Sequence, residues 1–243
     1  MTAGSGARPA AVGVHRDGER DAAARQVPAL TALVAPDAPL DPALVRRVEA
    51  LLARGGRRVL GLVGPPGAGK STLGAQVGAA FGDRAVVVPM DGFHLAQSEL
   101  ERIGRAERKG APDTFDAAGF VALLARLRHP RDGEVVYAPQ YRRDLRNGVA
   151  GAIAVPPDVP LVVTEGNYLL LDEHGFAPVA ALLDESWYLA PADEVRLARL
   201  VARHERFGKS PAAARAWSYG PDERNAAVIA ATRGRATLVV HLA

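Results

Sequence analysis

The chain has 243 residues, a length that suits one α/β domain with small insertions, and 48% of them are apolar, enough for a sizeable core. Thirty basic and 27 acidic residues leave a net charge of +3, and aromatic residues are sparse, so neither charge nor composition points to a nucleic-acid partner. Cysteine is absent, which excludes disulfides, thiolate metal sites and a cysteine nucleophile. No apolar run reaches the roughly 18 residues that span a bilayer, and the start lacks the apolar core of a signal peptide, so a soluble, cytoplasmic protein without a membrane partner is expected.

Residues 1–40, rich in Ala, Gly, Pro and Arg and without sustained periodicity, are expected to form a disordered tail ahead of a domain spanning 41–243. A helix starts at Asp41-Pro42, an N-cap followed by proline in the first turn. Leu44, Val45, Val48, Leu51 and Leu52 continue it at helical spacing until Gly55-Gly56. The apolar run 58–63 is the first buried strand. It leads into Gly64-Pro65-Pro66-Gly67-Ala68-Gly69-Lys70-Ser71, a complete G-x-x-x-x-G-K-[ST] phosphate loop, and then Thr72 and a helix with Leu73, Val77, Ala80 and Phe81 inward. The strand–loop–helix context is what gives this motif meaning. Glycines let successive N–H groups turn toward phosphates, Lys70 reaches the β- and γ-phosphates, Ser71 holds Mg²⁺, and the helix adds its positive end.

Ala85–Val88 is a second continuous apolar strand, of the kind parallel sheets bury on both faces. It ends in Met90-Asp91-Gly92-Phe93-His94. A basic stretch over 99–113 precedes a capped helix carrying Phe120, Val121, Leu124 and Leu127. Val135–Tyr137 and Ala152–Val155 flank a basic loop and predict a hairpin. Leu161–Val163 is a further strand, ending in Thr164-Glu165-Gly166-Asn167-Tyr168, and Ser186–Leu189 is another. A helix over about 191–206, the segment Phe207-Gly208-Lys209-Ser210, two short helices and a last strand over 237–240 complete the chain. Strands alternating with helices predict an α/β fold of P-loop type, a doubly wound, mostly parallel sheet.

Phosphoryl transfer needs a phosphate cradle, a metal, a base for the acceptor and cationic stabilisation of the transferring group. Ligands of open α/β sheets bind beyond the carboxyl ends of the strands. Asp91 and Glu165 both end strands, so they are expected to face the same crevice as Lys70 and Ser71. Asp91 is the candidate general base; its alternative is a turn aspartate before glycine. Glu165 is the candidate carboxylate on the metal side, acting partly through water; its alternative is a loop cap. Arg196, Arg199, Arg203 and Arg206 form one stripe on a helix. That stripe is either a solvated face or a source of arginines for the γ-phosphate. His94, Tyr141, Arg142 and Arg143 are candidate substrate contacts. The stretch 94–155 is read as an acceptor-site insertion and 191–220 as a lid. The basic loop of the insertion suggests an acceptor that carries or gains negative charge.

These segments together resemble the P-loop kinases of the phosphoribulokinase, uridine kinase and type I pantothenate kinase group. The likeness is strongest to bacterial nucleoside/nucleotide kinase family members, some linked to fructose uptake. It rests on residues 64–72, Met90-Asp91-Gly92-Phe93-His94, the stretch 108–116 with Lys109-Gly110-Ala111-Pro112, Pro139-Gln140-Tyr141, Thr164-Glu165-Gly166-Asn167-Tyr168 and the stretch from Arg203-His204 to Asn225. It spans about 42–243. The resemblance implies Asp91 as acceptor base, Glu165 as the Glu-Gly glutamate and Arg199 and Arg203 as lid arginines. It also implies acceptor contacts from Phe93, His94, Asn167 and Tyr168, and an adenine-side segment holding Asn225 and Arg233. Relatives often carry Tyr-Asp-Arg and then Asp-Pro where this chain has Tyr141-Arg142-Arg143 and Asn147-Gly148, so no substrate is carried over.

The expected activity is an ATP- and Mg²⁺-dependent kinase acting on a hydroxyl of a small sugar, nucleoside or pantothenate-like alcohol. The alternative is a regulatory NTPase without an acceptor. A homodimer is compatible with either. A GTPase is disfavoured by the lack of Asn-Lys-x-Asp, and an ABC ATPase by the lack of Leu-Ser-Gly-Gly-Gln.

Overall fold

The computed structural model describes Met1 and residues 26–242. In chain order the elements are β1 (Ala29–Ala32), α1 (Pro42–Leu52), β2 (Arg58–Val63), α2 (Lys70–Phe81), β3 (Ala85–Pro89), α3 (Gln97–Arg102) and α4 (Ala117–Arg128). There follow β4 (Val136–Arg142), β5 (Asn147–Val155), β6 (Leu161–Gly166), α5 (Val179–Leu182), β7 (Glu185–Ala190), α6 (Asp193–Arg206), α7 (Pro211–Tyr219), α8 (Pro221–Ala230) and β8 (Leu238–Leu242). Six strands make one parallel sheet in the order β1-β8-β7-β2-β6-β3. β4 and β5 form a separate antiparallel hairpin.

The sheet is buried on both faces, as continuous apolar strands require. On one face Leu60, Leu62, Leu161, Val163, Trp187 and Leu189 meet Leu44, Val48 and Leu51 of α1 and Leu73, Val77 and Phe81 of α2. On the other, Val59, Val162, Val88 and Val239 meet Phe120, Leu124 and Leu127 of α4. The odd–even alternation along β2 thus divides one strand between two cores. Local capping starts the helices where the sequence predicts. Asp41 accepts from the Ala43 N–H at 2.8 Å with Pro42 in the first turn, and Asp116 accepts from the Gly119 N–H at 2.8 Å.

The expected tail over 1–40 needs a correction in its described part; residues 2–25 lie outside the described residues. Ala29–Ala32 pairs in parallel with β8, Val34 and Leu40 are buried, and Gln76 donates to the carbonyls of Ala35 and Ala38 at 3.0 and 2.8 Å. A four-residue edge strand is held by pairing with a distant element, so no local pattern announces it. No helix among the described residues is long and apolar enough to cross a membrane.

Candidate active site

Four of the parallel strands end at one edge, and each delivers part of the site. β2 runs into the phosphate loop, 64–69. Gly67 and Gly69 have φ of 80° and 90°, the left-handed region that glycine enters without strain. Gly69 is also the residue from which α2 departs. A Cβ at Gly67 would lie 2.7 Å from the Arg196 carbonyl oxygen and 2.8 Å from Leu200, so the loop packs directly onto α6. Pro65, Pro66 and Ala68 are buried behind the loop, Ser71 is exposed and Thr72 half-buried.

Lys70 is buried. Its ammonium donates to the Gly64 carbonyl at 2.8 Å, the Pro65 carbonyl at 3.2 Å and Asn167 Oδ1 at 2.8 Å. Burial lowers its pKa to about 8, against the opposing pull of Glu165 and Asp91. Glu165, at the end of β6, is buried and accepts from Ser71 Oγ at 2.9 Å. Burial, reinforced by the Asp91 charge, raises its pKa; Lys70 and Ser71 oppose that rise. The exposed serine hydroxyl, the crowded carboxylate and nearby Asp91 form an oxygen-rich, electron-rich cluster. That donor set fits a magnesium ion, a hard cation that keeps waters and takes few protein ligands. No cluster of three or more His, Asp or Glu side chains that could hold a metal occurs among the described residues.

Asp91 sits in a single 3₁₀ turn, Met90–Phe93, at the end of β3. The β4–β5 hairpin lies on this turn with backbone against backbone. A Cβ at Gly92 would fall 2.4 Å from the Pro139 carbonyl oxygen, and one at Gly148 only 2.3 Å from the Gly92 carbonyl oxygen. Two residues without side chains are therefore what lets the hairpin approach Asp91. His94 Nδ1 lies 2.8 Å from the Asp91 carbonyl oxygen. Its ring packs between Phe115 and Tyr141, with centroids at 4.0 and 4.9 Å. Burial lowers the His94 pKa and raises that of Tyr141.

Of the expected acceptor contacts, Phe93 is half-buried, meeting Phe120 edge-on at 5.4 Å and packing against the core, and Tyr168 is packed away. Tyr168 is 1% exposed, and its hydroxyl donates to the Gly110 carbonyl at 2.6 Å. Asn225, expected beside adenine, donates to the same carbonyl at 3.3 Å. Both side chains hold Gly110, within the Lys109–Pro112 stretch, in position. Arg233 lies in the turn before β8, 3.5 Å from His241, whose strand pairs with the end of β7.

The arginine stripe of α6 meets different surroundings along its length. Arg196 is 2% exposed and paired with Asp193 at 3.0 Å and Glu223 at 2.5 Å. Arg199 is exposed, 3.8 Å from where a Gly69 Cβ would stand, and Arg206 is exposed. Arg203 is half-buried, its pKa lowered by burial and by Arg143 while Asp222, Asp91 and Glu165 pull it upward. Sequence reasoning missed Asp222, which is buried, bonds His204 Nε2 at 2.8 Å and bears on both Lys70 and Arg203. Its position after Pro221 reads as an ordinary first-turn acid.

Comparison with known proteins agrees with this architecture. Residues 59–210 match the Phosphoribulokinase / Uridine kinase family. A Schizosaccharomyces pombe protein provisionally named a uridine kinase is 36% identical over 179 residues, covering 70% of this chain and 76% of that protein. The crystal structure of a kinase provisionally assigned to a fructose transport system of Silicibacter sp. TM1040 superposes with a TM-score of 0.74 at 42% identity, covering 81% of this chain and 97% of that one. Saccharomyces cerevisiae YFH7, at 18% identity and a TM-score of 0.70 over 82% of this chain and 98% of its own, shares the fold. With the loop, the sheet order and the family match in agreement, the chain belongs to the phosphoribulokinase/uridine kinase family and is a P-loop kinase of small molecules.

Proposed function

We propose that the protein transfers the γ-phosphoryl group of ATP to a hydroxyl of a small metabolite. The observation that carries this reading is Asp91: a carboxylate at the end of β3, close enough to Lys70 and Glu165 to perturb both, under a wall of His94 and Tyr141. Asp91 takes the acceptor proton as the acceptor oxygen bonds to Pγ. The bond from Pγ to the bridging oxygen breaks, and ADP leaves with that electron pair. Lys70 swings from the loop carbonyls to the phosphates, and Arg199 and Arg203 meet the transferring group. Ser71, with Glu165 through water, would hold Mg²⁺, which neutralises phosphate charge. His94, Tyr141, Arg143 and Asn167 orient the acceptor.

An ADP-release screen over sugars, nucleosides and vitamin-like alcohols tests this. One class should raise ADP release well above the acceptor-free rate, and Asp91→Asn should abolish the rise while nucleotide still binds. Turnover indifferent to every acceptor would favour a regulatory NTPase.

A further inference from the structure

The cations around the acceptor side divide into two sets. In the loop 102–116 and the hairpin, Arg102 pairs with Glu99, Arg105 and Arg108 with Asp113, and Arg142 with Asp144. Lys109, Arg143 and Arg146 have no carboxylate as an ion-pair partner among the described residues. These three gather at one place. The half-buried Lys109 ammonium donates to the Arg146 carbonyl at 2.7 Å and stands 5.6 Å from the Tyr141 ring centroid, over its face. Tyr141 in turn packs on His94 beside Asp91. Arg143 lies with its guanidinium 5.2 Å from the centroid of the Phe207 ring, just past the end of α6. From there its charge bears on His94, Tyr141, Glu165 and Arg203 alike.

Like charges oppose one another here, Arg143 against Arg203 and Arg146 against Lys109; the acids that bear on Arg203 and Lys109 are Asp222, Asp91, Glu165 and Glu101, and none of them forms an ion pair with Lys109, Arg143 or Arg146. The nucleotide's phosphates have Lys70, Arg199 and Arg203 on their own side, which leaves those three cations to the acceptor. We propose that the acceptor is itself an anion, a hydroxy acid or a phosphorylated polyol, whose carboxylate or phosphate is gripped by Arg143 with Lys109 and Arg146 adding field, while its hydroxyl faces Asp91. This rests on the kinase reading above. A guanidinium fork suits both carboxylate and phosphate geometry, and its contact with Phe207 biases where it stands.

The test compares acceptors that share a skeleton: glycerol, D-glycerate and glycerol 3-phosphate; ribose, ribonate and ribose 5-phosphate; fructose, fructose 1-phosphate and fructose 6-phosphate. The expected result is an anionic member with kcat/KM at least tenfold above its neutral parent, the carboxylate and phosphate arms identifying which anion. Arg143→Ala should raise that acceptor's KM tenfold or more with the nucleotide Kd within twofold, and Arg143→Lys should recover part of the loss. A neutral parent used as well as its anionic partner, or a KM untouched by Arg143→Ala, overturns the proposal and leaves the kinase reading standing. A second measurement needs no acceptor. With a non-hydrolysable ATP analogue bound, phosphate and malonate titrated by calorimetry should bind the unmodified protein and not Arg143→Ala. Binding by neither probe overturns the anion subsite whatever the acceptor. ADP release that no acceptor raises overturns the kinase reading, and the proposal with it.

Discussion

Lys70 is stored with its ammonium on two carbonyls of its own loop and on Asn167, contacts that triphosphate oxygens would replace. Its folded pKa of about 8 lies below the 10.5 of a free lysine. The unfolded chain therefore binds more protons between those values, and this group adds stability as pH rises from about 8 to about 10.5. Phosphate oxygens draw the proton back, so nucleotide binding near pH 8.5 should take up a proton through Lys70, and binding near pH 6.5 should take up none through this group. Calorimetry in buffers of different ionisation enthalpy reads the uptake directly. Lys70→Ala should lose it together with most nucleotide affinity; unchanged uptake in that variant would assign the proton elsewhere. Asp91 has the opposite signature. Asp91→Asn should keep the fold and the nucleotide Kd, yet lower transfer to the acceptor by about 10²–10⁴-fold, the usual contribution of a general base. Steady-state transfer beside acceptor-free hydrolysis separates the two, since water need not use Asp91.

Among elements, α6 and the hairpin show how one motif is divided between scaffold and chemistry. Arg196 and Arg203 are seven residues apart and share a stripe by spacing, but Arg196 faces the phosphate loop and α8 while Arg203 faces the crevice. Arg196→Ala should cost about 1–3 kcal/mol of stability, by denaturant titration, because a buried side chain and two ion pairs are lost while its partners remain partly solvated. Arg203→Ala should leave stability nearly unchanged and lower turnover. In the hairpin, Gly92→Ala would drive a methyl to 2.4 Å from the Pro139 carbonyl oxygen. The hairpin must then lift from Asp91, so acceptor KM should rise while nucleotide Kd holds. Loss of nucleotide affinity in this variant would mean the turn supports the phosphate loop. Spacing told which arginines share a helix, but burial depends on what packs there, and that Gly67 opens the way for α6 is a tertiary fact. For the same reason Phe93 and Tyr168, in motifs at strand ends, read alike from sequence although one is half-buried against the core and the other is buried and supports Gly110. The sheet itself was legible because β2, β3, β6 and β7 are apolar runs bounded by turn residues. β1 was not, because Ala-Leu-Thr-Ala carries no signal apart from its partner β8.

For the molecule as a whole, the same contacts say where motion is available. The expected lid over 191–220 starts too early, because α6 is fixed to the phosphate loop at Gly67, with Leu200 buried and Arg196 paired to α8. Beyond Leu200 the ties to the body are the His204–Asp222 bond at 2.8 Å and the buried Ala214 and Ser218, while residues 205–208 are exposed. Phe207 is 55% exposed and meets the hairpin through Arg143, and Gly208 follows with φ of 90°. Lys209 and Arg215 stack on Trp217 and Tyr219 within the segment itself. An exposed cation–π contact contributes about 0.5–1 kcal/mol, too little to hold a segment closed and enough to bias it. The part that moves is therefore expected to be 203–219, with 193–200 belonging to the body. Closing it brings Arg203 to the transferring group, excludes water and sets Phe207 against the hairpin that holds the acceptor. Hydrogen exchange should show 193–200 equally protected with and without a non-hydrolysable ATP analogue and Mg²⁺. Residues 203–219 should gain protection with nucleotide and gain more when the acceptor is added. Phe207→Ala should remove the second gain and keep the first, because it cuts the tie to the hairpin and leaves Arg203 in place. If 203–219 exchanges identically in all three states, phosphoryl transfer takes place in the open crevice and no lid operates.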